Sequence, residues 1–296
     1  MPVEAALIAV RALHFVSVLW LLGTHVFQAT MLPPSMAAAL VPRFLAWDKA
    51  ASAAALLTAM AWLMLAAADA SGSWPGAIDP LTLRDLLFET TFGQVWVLRL
   101  ALAAGMLVLS LWHFSKAQSL KPCGAVLLAG SLGFIGHGAM FQGGAGLLQS
   151  GALAAHVLAA GGWFGALPAL ILCLGRGGPE FTVSTKAAAL RGFSQIGQWA
   201  VAFVVVSGML LTRSVIGEWP STIETSYRAV LAVKVTLVAL MIGLALFNKY
   251  RMMPRLTRDG AGAANIMLRS ATAEAILGLA VLVVVAALGD MSPSEI

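Results

Sequence analysis

Apolar residues run along this chain in blocks separated by short polar stretches. Blocks of about twenty apolar residues are long enough to cross a bilayer as α-helices, which predicts spans at roughly 5–30, 45–69, 92–114, 122–142, 150–174, 192–213, 227–249 and 266–289. Turn-forming clusters punctuate them: Pro33-Pro34, Ser71-Gly72-Ser73-Trp74-Pro75-Gly76, Lys121-Pro122, Gly177-Gly178-Pro179, Trp219-Pro220 and Asp259-Gly260. The pattern predicts an all-α membrane protein with eight transmembrane helices.

Composition sharpens that reading by exclusion. The 296 residues are 60% hydrophobic and 10% charged, where a soluble domain averages about 45–50% apolar and roughly 25% charged residues. So few charges cannot coat a water-soluble globule of this size, which excludes a soluble enzyme, a nucleic-acid binder and a disordered tail. The net charge of +5 is spread over short loops rather than gathered on one face. Arg43, Lys49, Lys116, Lys121, Arg176, Lys186, Arg191, Lys249, Arg251, Arg255, Arg258 and Arg269 flank the loops after spans one, three, five and seven. Only Arg84, Arg213 and Arg228 flank the opposite loops. By the positive-inside rule the first set is cytoplasmic, so both termini are expected outside, on the periplasmic side of a bacterial envelope. Two cysteines make no disulfide framework. The N-terminus lacks a basic leader and a small-residue cleavage site, so the first apolar run is expected to be retained.

A weak internal symmetry runs through the spans. Phe92 precedes Arg99 by seven residues in span three, and Tyr227 precedes Lys234 by seven in span seven. Span one carries His14 with Trp20-Leu-Leu-Gly23, and span five carries His156 with Trp163-Phe-Gly165. The match suggests two parallel four-helix halves, 1–143 and 144–296, with a functional site where the repeats meet. Chance likeness between apolar helices is the alternative.

Ionisable groups at membrane depth are costly and therefore candidates for function. His14, His137 and His156 fall in the outer half, and Met140 shares a helical face with His137. Imidazole with thioether suits copper, Cu(I) above all; alternatively each histidine ties helices together through a carbonyl or serine. An inner set comprises His25, His113, Cys123 and Cys173, either a soft exit site or simply buried thiols and interfacial histidines. Arg11, Arg99 and Lys234 lie in the outer third, able to snorkel outward or to pair with Asp85 and Glu89. Glu274 reads as the one clear intramembrane carboxylate, available to an arginine, a proton or a hard metal. The remaining methionines are scattered and read as packing.

The C-terminal third carries an ordered series: Leu190-Arg191-Gly192-Phe193-Ser194, Val206-Ser207-Gly208, Tyr227 to Lys234, Ala245-Leu246-Phe247-Asn248-Lys249-Tyr250, Leu268-Arg269-Ser270 and Ala273-Glu274. With Gly136-His137-Gly138 and His156 followed by Trp163-Phe164-Gly165, it resembles the CopD/PcoD copper-resistance family, its CopD-like domain falling at roughly 190–290. The resemblance implies a multi-pass bacterial inner-membrane protein of copper homeostasis, importing copper from periplasm to cytoplasm. It also implies delivery by a separate periplasmic carrier of the CopC type, and His14, His137 and His156 as metal-site candidates; Met140 rests on spacing alone. Such a permease is not an enzyme. The competing reading is a haem b-binding oxidoreductase with bis-histidine ligation, His14 and His25 each serving one face of the membrane.

Overall fold

A computed structural model describes residues 2–112, 115–135, 143–216 and 225–291, and the chain within them is helical with no strand. The helices are α1 (Val3–Thr30), α2 (Pro34–Ala70), α3 (Pro80–Glu89), α4 (Thr91–Leu111), α5 (Ser115–Gly130), α6 (Gly143–Phe164), α7 (Leu167–Gly175), α8 (Val183–Ile216), α9 (Thr225–Phe247), α10 (Met253–Asp259) and α11 (Ala261–Leu288). Seven stretches among the described residues are long and apolar enough to cross a membrane: Val3–Thr30, Pro34–Ala70, Thr91–Leu111, Gly146–Gly175, Val183–Arg213, Ser226–Leu256 and Gly262–Leu288. The fourth predicted run contributes a shorter apolar helix, Ser119–Phe134, and its last seven residues lie outside the described segments.

Local chemistry sets the helix ends. Pro34 opens α2, where its missing N–H costs nothing. The 37 residues of α2 rise about 1.5 Å each, so the helix is much longer than a hydrocarbon layer of about 30 Å. Two side-chain caps fold the stretch between the second and third spans, which the apolar pattern left as a turn. The Asp79 carboxylate accepts from the Thr82 N–H at 2.8 Å and starts α3; the Thr90 hydroxyl accepts from the Gly93 N–H at 2.9 Å and starts α4. No residue of α3 is buried, and Leu81 and Phe88 on it are exposed.

α1 is the central strut, packed against α2, α5, α6, α7 and α11. Its tightest crossing is with the α6–α7 junction. A Cβ on Gly23 would overlap the backbone of Gly165 and Ala166, and one on Gly165 would overlap the Leu19 carbonyl. Small residues are what permit backbones to approach this closely inside a membrane. The fifth span breaks at this point, after Phe164, and resumes as α7 at Leu167.

One core cluster gathers Trp62, Trp96, Leu7 and Ala59 near the end of the bundle that carries residue 2. A larger one gathers Phe27, Met36, Phe44, Leu170, Cys173 and Met267 toward the other end. Outward faces carry Leu57, Leu148, Trp199 and Val235 fully in the open, an apolar belt that water would not tolerate and lipid would. Arg11 on α1 pairs with Asp290, just beyond α11, at 2.9 Å, so the first turns of the chain and its last described residues sit at the same end of the bundle.

Candidate functional site

Three polar clusters lie between the helices, two of them buried and the one around His156 partly so. The first surrounds His14, fully buried on α1. An arginine has only donors to offer, so the Arg99 guanidinium donates through Nη2 to His14 Nε2. That leaves the ring proton on Nδ1, which donates to Thr58 Oγ1 on α2 at 2.9 Å, while the Thr58 hydroxyl donates to the Ala54 carbonyl at 2.6 Å. Arg99 is itself fully buried on α4. Its Nη1 donates to Ser131 Oγ at 2.6 Å and to the Leu128 carbonyl at 3.4 Å, and its guanidinium carbon lies 5.5 Å from the centre of the Trp96 ring. The Trp62 ring meets His14 edge-on at 5.8 Å.

Arg99 thus neither snorkels outward nor reaches Asp85 or Glu89. The charge is held in place by hydrogen bonds to two further helical segments and by an aromatic face. Arg11 pairs with Asp290 rather than with either of those carboxylates.

The second cluster, around His156, combines the same kinds of residue. His156 on α6 donates from Nδ1 to Ser207 Oγ on α8 at 2.8 Å, because the Ser207 hydroxyl hydrogen is committed to the Phe203 carbonyl at 2.5 Å. A Cβ on Gly208 would stand 3.5 Å from the imidazole, so the Ser207-Gly208 pair supplies both the hydrogen bond and the room. Lys234 on α9 lies within electrostatic range of the ring. Histidine, hydroxyl and cation therefore recur as His14, Thr58, Arg99 and as His156, Ser207, Lys234. Sequence reading singled out the histidines and cations as site candidates; Ser207 entered only through the family-like series Val206-Ser207-Gly208, and Thr58 not at all. His137, Met140 and His113 lie outside the described residues.

The third cluster lies toward the opposite end. His25 Nε2 on α1 stands 3.5 Å from Asp48 Oδ1 on α2, and Lys121 Nζ on α5 donates to Asp48 Oδ2 at 3.2 Å. Asp48 is 3% exposed and Lys121 1%, so Glu274 is not the one buried carboxylate among the described residues: Asp48 is a second. The sequence pattern placed Lys121 among the loop cations and did not single out Asp48, three residues into the second predicted run. Thr24 Oγ1 and Ser52 Oγ, also buried on α1 and α2, have no hydrogen-bond partner among the described residues. His25 therefore meets a carboxylate, whereas Cys173 is sealed in the larger core cluster and Cys123 is exposed on α5. Among the described residues no three histidine, cysteine, aspartate or glutamate side chains come together as a metal cage.

Comparison with known proteins gives a consistent picture. Residues 1–147 match the family model described as "Copper resistance protein D-like, N-terminal domain" and residues 187–288 the model "Copper resistance protein D". The chain is 28% identical over 290 residues to "Inner membrane protein YebZ" of Escherichia coli (strain K12), covering 97% of this chain and 98% of that one. It is 32% identical over 245 residues to "Copper resistance protein D" of Pseudomonas syringae pv. tomato, covering 78% and 77%. It is 28% identical over 242 residues to "Copper transport protein CutJ" of Bacillus subtilis (strain 168), covering 77% of this chain but only 42% of that protein. No solved structure matches.

Proposed function

This chain belongs to the copper resistance protein D family, and on that premise we propose that it is a permease, not an enzyme, importing copper from the periplasm to the cytoplasm. It is a multi-pass inner-membrane protein. Copper reaches it on a separate periplasmic carrier of the CopC type and lands in the outer half of the bundle. His14 and His156 are the histidine ligands in the described part of the site; His137 and Met140 supply the nitrogen and sulfur donors that copper favours. Eight crossings with both termini periplasmic fit the Arg11–Asp290 pair, since ends on one side require an even number of spans.

The observation that carries this reading is the paired placement of the two histidines. Each stands nine residues before the glycine, Gly23 or Gly165, at which its helix crosses the other, and each has its Nδ1 proton held by a hydroxyl from the following span. A fixed Nδ1–H presents Nε2 as the ligating atom, the outer-shell arrangement found behind metal-bound histidines. At His14 the guanidinium of Arg99 occupies that atom, so copper takes the place of Arg99 there.

The test is Cu(I) binding to purified protein together with uptake into proteoliposomes. His137→Ala and His156→Ala each abolish high-affinity binding while helix content stays unchanged, and Ser207→Ala weakens it by about 10–100-fold. Unaltered affinity in both histidine variants rules out the outer site.

A further inference from the structure

The family-like stretches around Leu190, Asn248 and Glu274 play no part in the outer site, yet they converge. Leu190, Phe193 and Ser194 on α8, Asn248 and Lys249 after α9, and Glu274 on α11 line one cavity of about 240 Å³. The backbone at Asn248–Met252 winds as a π-helix, a local widening that recurs at functional sites.

Glu274 is 1% exposed. Asn248 Nδ2 donates to its Oε1 at 2.7 Å, and the two oxygens left over, Glu274 Oε2 and Asn248 Oδ1, are buried with no hydrogen-bond partner among the described residues. Two orphaned acceptors on one hydrogen-bonded pair of side chains are expensive in a low-dielectric interior. A carboxylate and an amide oxygen lack the nitrogen or sulfur that copper favours. A single proton on Oε2 removes both penalties, because the resulting O–H donates to Asn248 Oδ1 and closes the second hydrogen bond of a cyclic acid–amide pair. No cation takes that role among the described residues, where the ion pairs are Arg11–Asp290, His25–Asp48 and Lys121–Asp48. The titratable groups on the surrounding elements are Lys249 and Tyr250 on the cavity wall with Arg251 beside them, Tyr227, Arg228 and Lys234 on α9, Cys173 on α7, Lys186, Arg191 and Arg213 on α8, Arg255, Arg258 and Asp259 on α10, His156 on α6, Glu4, Arg11, His14 and His25 on α1, and Arg269 on α11 itself. Of these, Lys186 is turned to the Leu174 carbonyl at 2.8 Å.

We propose that Glu274 and Asn248 form a proton-exchange site on the inner cavity, holding a proton on Oε2 while the cavity is empty and releasing it when a copper cation passes. The step breaks the Oε2–H bond, hands the proton to cavity water and leaves a carboxylate to balance the cation; no electrons move. The copper part of this inference rests on the permease reading above, whereas the proton site does not.

Infrared difference spectroscopy on the purified protein reads the site directly. A carboxylic C=O band that shifts in D₂O is expected in the copper-free protein. It disappears on adding Cu(I) under ascorbate and is missing from Glu274→Gln, whose amide keeps the paired geometry with Asn248. Proteoliposome uptake reads the exchange: one proton released per copper raises the apparent copper affinity, and subsaturating uptake with it, by about tenfold per unit rise in cavity-side pH while the site is protonated, and Glu274→Gln is flat. A copper-free spectrum without a Glu274-dependent band overturns the proton site. A band that copper does not remove, or wild-type uptake indifferent to pH, overturns the exchange. Absence of any uptake by the wild type overturns the permease reading and the exchange with it, and the band still decides the site.

Discussion

Asp48 shows how much a single side chain can demand of its surroundings. A carboxylate this deeply buried needs a partner, and Lys121 and His25 converge on it from two other helices. Removing one member of a buried ion pair strands the other charge at a cost of about 3–5 kcal/mol, while replacing both costs little. Asp48→Ala is therefore expected to lower the thermal unfolding midpoint sharply, and Asp48→Asn with Lys121→Met to restore most of it. A loss in the double variant equal to the sum of the losses in Asp48→Asn alone and Lys121→Met alone would show that the pair carries no coupling energy. The residue scale is also where sequence reading was most uneven. His14, Arg99 and Glu274 stand out because ionisable groups are rare and costly in apolar spans. Thr58 and Ser207 do not, since hydroxyls are ordinary in apolar helices and matter only once helix register puts them opposite an imidazole. Lys121 was hidden because it stands one residue before a predicted run, where the apolar pattern places a boundary only to within several residues, and Asp48, beside Lys49 at the start of another run, was not singled out.

At the scale of elements, the crossing of α1 with the α6–α7 junction organises the bundle. Gly165→Ala forces a methyl group into the Leu19 carbonyl, whereas Gly162, one turn away, has open space at its Cβ. Gly165→Ala is expected to reduce folded yield and melting temperature, with Gly162→Ala close to wild type, as read by size-exclusion recovery and thermal melting in detergent. Similar behaviour of the two would mean that the helices can separate without penalty. The glycine pair was visible in the sequence as part of a possible repeat, but a repeat pattern does not say which helices touch. The break after Phe164 was not visible, because the apolar run continues through it. α3 was missed for a different reason: ten residues with no buried member leave no run for a hydropathy reading to find, and only the Asp79 and Thr90 caps announce it.

For the whole molecule, the Arg11–Asp290 pair ties the first helix to the end of the last and makes topology testable. Both ends of the chain are expected in the periplasm: alkaline phosphatase fused after the last residue should be active and a green fluorescent protein fused there dark. The reverse pattern would put that end in the cytoplasm and, with the Arg11–Asp290 pair, invert the orientation of the whole bundle. The amino-acid sequence by itself determined the class of molecule, because an apolar run of given length has few stable fates other than a membrane helix, and charge in the loops biases which side they face. It also marked most of the ionisable groups that a bilayer would not tolerate without a purpose. Only the tertiary structure decided who meets whom: Arg99 with His14, His25 with Asp48, Asn248 with Glu274. Partnership between helices depends on rotation and axial register, which close glycine contacts and core packing set together and which no single helix encodes.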